Sequence, residues 1–310
     1  MIKKIVIVLI SLLFMALLLE ALVRIFNLNE KIVIKLCPWR RDHVNKIGFR
    51  DNDHTIEKPA GVYRIVVLGD SFTEGQGVAF ENIYPRVLEK KLNALHSSTH
   101  YETIVCAKSG RNAVQEVGMY HDQCRQFKPD LLIIGFVLND TECSGKYNYI
   151  KLQYLRSQIF QKPASIIGKF LFAHSAMYKH IYCRIEYTRI NKIAKNLDIF
   201  YQENNVCYQE FKNAYRSLKK MVNDDNTPVL IVIFTYFQHP LNNYPFIKII
   251  HKVQLFSTEL GFNSMDLLDV YKPYKESELK FCEWNAHPNA KAHALAADAI
   301  LAYLKETYLN

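Results

Sequence analysis

Three short runs of aliphatic and β-branched residues constrain this chain more than any other feature. They are Tyr63-Arg-Ile-Val-Val-Leu68, Asp130-Leu-Leu-Ile-Ile-Gly135 and Pro228-Val-Leu-Ile-Val-Ile-Phe234. Each is short and apolar almost throughout, and each is bounded by Gly or Pro, as buried strands are. Glu102 to Cys106 and Asn263 to Leu268 are further strand candidates. Helical patterns separate them, from about Asn82 to Leu95 and from Asn112 to Gln126. A closing helix runs from about Pro288 to Thr307, where Pro in the first turn is well tolerated. Continuously apolar strands alternating with helices predict an α/β fold, a parallel sheet covered on both faces. In such sheets the reactive groups gather at the carboxyl ends of the strands. That places Gly69-Asp70-Ser71, Lys108-Ser-Gly110 and Leu138-Asn139-Asp140 on one rim.

The N-terminus imposes a second constraint. Met1-Ile-Lys-Lys4 precedes an apolar run from Ile5 to Leu19, which resumes after Glu20 as Ala21-Leu22-Val23. A cleaved signal peptide needs small residues before its cut, and Leu18-Leu19-Glu20 offers none. Counted to Phe26 the segment holds about 22 residues, enough to cross about 30 Å of hydrocarbon. The expectation is a single-pass anchor over 1–27, a lead-in over 28–61 and one large domain over 62–310. Lys3 and Lys4 favour a cytoplasmic N-terminus, whereas Arg24, Lys31, Lys35, Arg40 and Arg41 pull the other way. Large downstream domains cross largely regardless of charge, so the domain is expected outside the cytoplasm, in the periplasm.

The stretch from about 141 to 221 is aromatic and basic, with helical spacing at Tyr178, Ile181, Tyr182 and Ile185. It is expected to be a helical insertion above the rim, although an ordinary core-facing helix has the same stripe. The formal charge of +9 is scattered among acids, with no concentrated basic face, so nucleic acid is not an expected partner. The seven cysteines form neither a CxxC pair nor a cluster at zinc spacing, so no metal is expected. They are expected to be mostly free, buried core residues. Cys143 and Cys282, beside the polar segments, form a candidate pair.

Chemistry concentrates at a few positions. Ser71 sits at a strand-to-helix turn in Leu68-Gly-Asp-Ser-Phe-Thr-Glu-Gly75. A serine hydroxyl needs a base within hydrogen-bond reach before it attacks anything at neutral pH. The turn alone suits a helix cap as well as a nucleophile. Gly110 and Asn139 follow the next two strands, where a backbone N–H and a side-chain amide could face a developing oxyanion. Taken singly, such a glycine is more often a turn residue and such an asparagine more often a loop cap. Asp140 is expected to tie its own loop together. His287, in Trp284-Asn-Ala-His-Pro-Asn-Ala290, is far from Ser71 in sequence yet able to reach the rim in space. His293 is expected on the helix surface or in packing.

Taken together, Gly69-Asp70-Ser71, Gly110, Gly135-Phe-Val-Leu-Asn139-Asp140 and His287-Pro288-Asn289 resemble the four signature blocks of SGNH (GDSL-like) hydrolases, in order. Asn45-Lys-Ile-Gly-Phe-Arg50 resembles the lead-in of membrane-anchored bacterial members. The resemblance implies a flavodoxin-like three-layer sandwich with no cofactor. It implies Ser71 as nucleophile, His287 as base, and an oxyanion hole of Ser71 N–H, Gly110 N–H and the Asn139 amide, with Asp70 and Asp140 in support. One departure stands out. The family usually carries an acid two or three residues before its histidine, where this chain has Asn285 and Trp284, and Glu283 lies one position further off. Asn285 could orient the ring, a backbone carbonyl could do so, or activity could be impaired. The implied function is hydrolysis or transfer of an ester-linked acyl group on a small molecule, glycan or lipid. The alternative is a silent protein that binds such a ligand. A nucleotide-binding flavodoxin-like protein is disfavoured, since no GxGxxG or GxxxxGK[ST] loop follows the first strand.

Overall fold

The computed structural model describes residues 2–26, 42–95, 98–142, 163–194, 201–282 and 285–308. The chain falls into two compact units, one formed by 1–36 with 152–196 and the other by 37–151 with 197–310.

The larger unit is built on a five-stranded parallel sheet in the order β2-β1-β3-β4-β5. β1 (Val62–Gly69), β2 (His100–Ala107), β3 (Leu131–Phe136), β4 (Val229–Ile233) and β5 (Asn263–Asp266) fall on the five predicted segments, with ends shifted by at most two residues. Residues 65–68 of β1 and all of β3 and β4 are buried, as strands covered on both faces must be. The strand order is the doubly wound flavodoxin-like one, which leaves a switch point between β1 and β3 where ligands of such sheets bind. Gly69 pairs with both Ala107 and Gly135, so the ends of β1, β2 and β3 are level and their loops meet at one height.

Helices cover both faces. α2 (Ser71–Glu74) is a single turn after β1, and α3 (Tyr84–Asn93) packs on β2 and on the last helix, Ala290–Thr307. The opposite face carries α4 (Ala113–Met119) and the long helix Val206–Asp224. Phe211 of that helix meets Phe136 of β3 at 5.8 Å and Phe256 of helix Ile247–Glu259 at 5.7 Å. The smaller unit contains α1 (Ile2–Ile25), α5 (Ile166–His174) and α6 (Ala176–Ala194), so the two long helices of the sheet unit are α7 (Val206–Asp224) and α8 (Ile247–Glu259). The chain closes with α9 (Leu268–Tyr271), α10 (Glu276–Leu279), the antiparallel pair β6 (Lys280–Cys282) and β7 (Asn285–Pro288), and α11 (Ala290–Thr307).

The end of the stretch expected as a helical insertion, about 141–221, falls on α7, which buries Cys207, Tyr208, Phe211, Tyr215, Leu218 and Val222 and lies in the sheet unit. Its apolar residues recur at three- and four-residue spacing, the pattern of a core-facing helix. The cysteines differ from expectation. Cys106 at the end of β2 is disulfide-bonded to Cys124, and Cys207 is disulfide-bonded as well, while Cys183 is free and buried. Both cysteines of the first bridge are fully buried, and it joins β2 to the turn that follows α4, a pairing that spacing alone does not reveal. Cys143 and the side chain of Cys282 lie outside the described residues.

Candidate active site

The site forms where β1 turns into α2. A Cβ on Gly69 would fall 2.1 Å from Thr73 Oγ1, so only glycine lets the α2 turn fold back this tightly on its own strand. Asp70, not Ser71, caps that turn: its Oδ1 accepts from Phe72 N–H at 2.8 Å. The capping role is thus filled one residue earlier, and the Ser71 hydroxyl points elsewhere. His287 Nε2 lies 2.6 Å from Ser71 Oγ, across 216 residues of sequence. The histidine stands on β7 just before α11, and its ring packs on Phe72 with centroids 4.8 Å apart. Asn289 caps α11 by accepting from Ala292 N–H at 3.1 Å, which fixes the His-Pro-Asn turn. Burial holds the His287 pKa down at about 4, so the imidazole is neutral at physiological pH and its ring can accept a proton.

The Ser71 hydroxyl has one proton and two acceptors in reach. Asp70 Oδ2 lies 3.2 Å away, against 2.6 Å for His287 Nε2. The shorter, better-matched contact is the one that activates a serine. Asp70 itself is fully buried, which raises its pKa, while N–H and O–H donors from Asn139, Phe72 and Ser71 pull it back toward the charged form.

Of the three expected oxyanion donors, Asn139 reaches the site across the switch point. Its Nδ2 donates to Asp70 Oδ2 at 3.0 Å, and its Oδ1 accepts from Tyr236 O–H at 2.6 Å. The amide is therefore pinned at both ends, and the second N–H on Nδ2 is the one able to face a bound ligand. Gly110 follows β2 with φ +73°, and no atom lies within 4 Å of where a Cβ would stand. That is a backbone conformation that side-chain-bearing residues rarely adopt. Asp140 bonds within its own loop: Oδ2 accepts from Val137 N–H at 2.8 Å while Asp140 N–H donates to Val137 O at 2.9 Å. The side chain of Asn285, and all of Glu283 and Trp284, lie outside the described residues. His293 is fully buried, stacked on Tyr84, and its Nδ1 accepts from Tyr84 N–H at 3.2 Å, so it packs rather than lying on the surface.

Four further side chains shape the site without having been singled out in the sequence. Glu74, buried at the end of α2, accepts from Ser109 N–H at 2.7 Å and from Ser109 Oγ, locking the loop before Gly110 to the serine turn. Arg50, equally buried, donates to the carbonyls of Glu74, Gly75 and Val78 at 2.8 to 3.1 Å. The lead-in thus clamps the end of α2. Tyr236 fixes Asn139. Glu116 on α4 is fully buried, and neither carboxyl oxygen has a hydrogen-bond partner among the described residues. Burial and the nearby Asp70 raise its pKa well above the usual carboxylate range, so it is held as the neutral acid. Glu74 and Arg50 sit inside quoted blocks, where a charged residue between glycines or aromatics is a usable signal. Tyr236 and Glu116 carry no such mark.

The sequence model of the GDSL-like lipase/acylhydrolase family matches residues 67–295, from within β1 to the start of α11. The chain belongs to that family. No curated protein matches it. Among solved structures, an α/β hydrolase enzyme from the metagenome of Lake Arreo, Spain, is similar at 14% identity and a TM-score of 0.50, covering 77% of this chain and 94% of that one. A two-domain esterase active on acetylated mannans is similar at 14% identity and a TM-score of 0.48. The match covers 80% of this chain but spans only 50% of that esterase. An acetyl xylan esterase is similar at 14% identity and a TM-score of 0.46, over 78% of this chain and 99% of the other. At such identities the likeness is one of fold. The α/β architecture of this GDSL-like chain is the SGNH hydrolase fold, as the sequence blocks implied.

Proposed function

We propose that this GDSL-like chain is an esterase or acyl transferase that works through an acyl-Ser71 intermediate. The observation that carries the reading is the 2.6 Å contact between His287 Nε2 and Ser71 Oγ at the switch point. Ser71 Oγ attacks the ester carbonyl as its proton passes to His287 Nε2, forming the C–O bond of a tetrahedral intermediate. The oxyanion is received by the N–H groups of Ser71 and Gly110 and the free N–H of Asn139. Collapse breaks the bond to the leaving alcohol, which takes the proton from His287. Water, or a second hydroxyl, then repeats the sequence in reverse and releases the acyl group. Asn285, or a backbone carbonyl, orients His287 in this scheme.

The ester-linked substrate class follows from family membership. An acyl group carried on an envelope glycan or lipid suits a domain on the far side of a membrane anchor. Two features support that location. The helix Lys3–Ile25 is 23 residues long with a mean hydropathy of 2.9, long and apolar enough to cross a bilayer. The Cys106–Cys124 disulfide belongs with an oxidising compartment. A panel of nitrophenyl esters of graded chain length, run beside O-acetylated glycans, tests the proposal. Turnover that vanishes in Ser71→Ala supports it. A folded protein that turns over none of these yet binds an acylated glycan is instead a silent binder.

A further inference from the structure

The smaller unit carries an apolar surface that the catalytic proposal does not use. On α5, Ile166, Ile167, Phe170 and Leu171 are 85%, 73%, 62% and 36% exposed. At positions i, i+1, i+4 and i+5 they share one side of a nine-residue helix. Ile181 and Ile185, one turn apart on α6, are also more than half exposed. A row of large aliphatic and aromatic groups in water marks a docking surface.

What covers it is argued from how α1 is attached to it. Glu20 interrupts the apolar run of α1, and an acid there demands partners. The structure supplies them from the α5–α6 corner: the Glu20 carboxylate accepts from Ser175 O–H at 2.9 Å, Ala176 N–H at 2.8 Å and Met177 N–H at 2.9 Å. Arg24 Nε bonds the same carboxylate at 2.8 Å, and Arg24 Nη2 donates to His174 O, the last residue of α5, at 2.8 Å. These contacts fix the corner against the last two turns of α1. A span of this length just exceeds the roughly 30 Å of hydrocarbon, so its last turns lie at the membrane boundary. The corner from which α5 extends is thus held at the end of the apolar helix α1. The surrounding charge agrees. Residues 163–194 hold five Lys or Arg and one acid, and Lys179 lies over the Phe172 ring at 5.7 Å. Basic groups beside aromatic and aliphatic ones suit the headgroup layer of an anionic leaflet.

We infer that α5 is an interfacial helix whose Ile166, Ile167, Phe170 and Leu171 face is covered by the lipids of the leaflet where α1 ends. The membrane contact of this chain is then an anchor plus a monotopic helix locked to it through Glu20 and Arg24. This rests on the reading of α1 as an anchor, and the test separates the two. Single introduced cysteines replace Leu12 in α1, Ile167 or Phe170, in full-length protein whose thiol-reactive native cysteines, Cys183 among them, are replaced by serine. Each carries an environment-sensitive fluorophore in phosphatidylcholine–phosphatidylglycerol vesicles doped with doxyl-labelled lipid. All three positions are exposed, and an unchanged melting curve confirms that the labelled proteins are folded. Strong quenching by doxyl lipid and shielding from iodide at 167 and 170, as at 12, is the expected result. Free iodide access at 167 and 170 with position 12 shielded overturns the interfacial helix and leaves the anchor standing. Iodide access at all three overturns both. Shielding of 167 and 170 from both quenchers places a protein on this face and also overturns the inference.

Discussion

Tyr236 O–H donates to Asn139 Oδ1 at 2.6 Å, and that bond decides which end of the amide faces the serine turn. With Oδ1 occupied, Nδ2 is directed at Asp70 and has one N–H left for a substrate oxygen. Tyr236→Phe removes the constraint but not the donor. Its kcat is expected to fall by about fivefold, the worth of about 1 kcal/mol of hydrogen bonding, with KM little changed. Asn139→Ala, which removes the donor, is expected to lower kcat by about 10²–10³. Steady-state kinetics on a nitrophenyl ester check both, and a Tyr236→Phe variant as slow as Asn139→Ala would show that the tyrosine does more than position the amide.

The pH profile follows from His287. Its pKa lies at about 4, below the ordinary value of 6.5, so the proposed base stays neutral well into mild acid. Hydrolysis is expected to hold its plateau at pH 6 and to fall only as the pH drops toward 4. The same shift acts on stability with a worked sign. An unfolded histidine takes up its proton near 6.5 and the folded one near 4, so the unfolded state binds more protons between them, and the buried ring's stabilising contribution is lost as pH falls through that window. A kcat/KM profile between pH 4 and 8 checks the first point. Loss of rate already centred at 6.5 contradicts it.

The parts of this account that were legible in the sequence are those written locally. β1, β3 and β4 are apolar runs bounded by Gly or Pro, and their chain order with intervening helices implied the parallel sheet. Ser71 and His287 lie in compact blocks whose types are informative together. What was not legible depends on register between distant segments. Nothing near Tyr236 announces that β4 ends beside the loop carrying Asn139. The stripe at Tyr178, Ile181, Tyr182 and Ile185 on α6 left two settings open, because helical spacing says that one face is apolar, not what it packs against. The Cys106–Cys124 pair needs β2 and the α4 segment side by side before their spacing has meaning.

Glu116 offers a test of buried charge. Held neutral in the fold and ionised near 4.5 when unfolded, it binds its proton more tightly in the native state. Its contribution is fully present below 4.5 and is lost as pH rises toward the folded value. Glu116→Gln, which mimics the neutral acid, is expected to fold normally and to lose less stability than wild type between pH 5 and 8. Urea midpoints at the two pH values check this. Parallel curves for the two proteins mean that Glu116 is ionised in the native state.

The Cys106–Cys124 bridge closes a loop across a sequence separation of 18 residues. Crosslinks of that span contribute about 3 kcal/mol. Cys106→Ala with Cys124→Ala is expected to lower the melting temperature by several degrees while preserving the ester-hydrolysis rate at 25 °C, since neither residue takes part in the Ser71–His287 contact. Calorimetry beside a rate assay checks it.

The most direct measurement is covalent. A fluorophosphonate reacts with a serine whose hydroxyl is activated by a neighbouring base, and peptide mass spectrometry locates the adduct. The account predicts one phosphonylated residue, Ser71, no labelling in Ser71→Ala, and labelling slowed by orders of magnitude in His287→Ala. Labelling that persists at the wild-type rate without His287, or that falls on another serine, contradicts it.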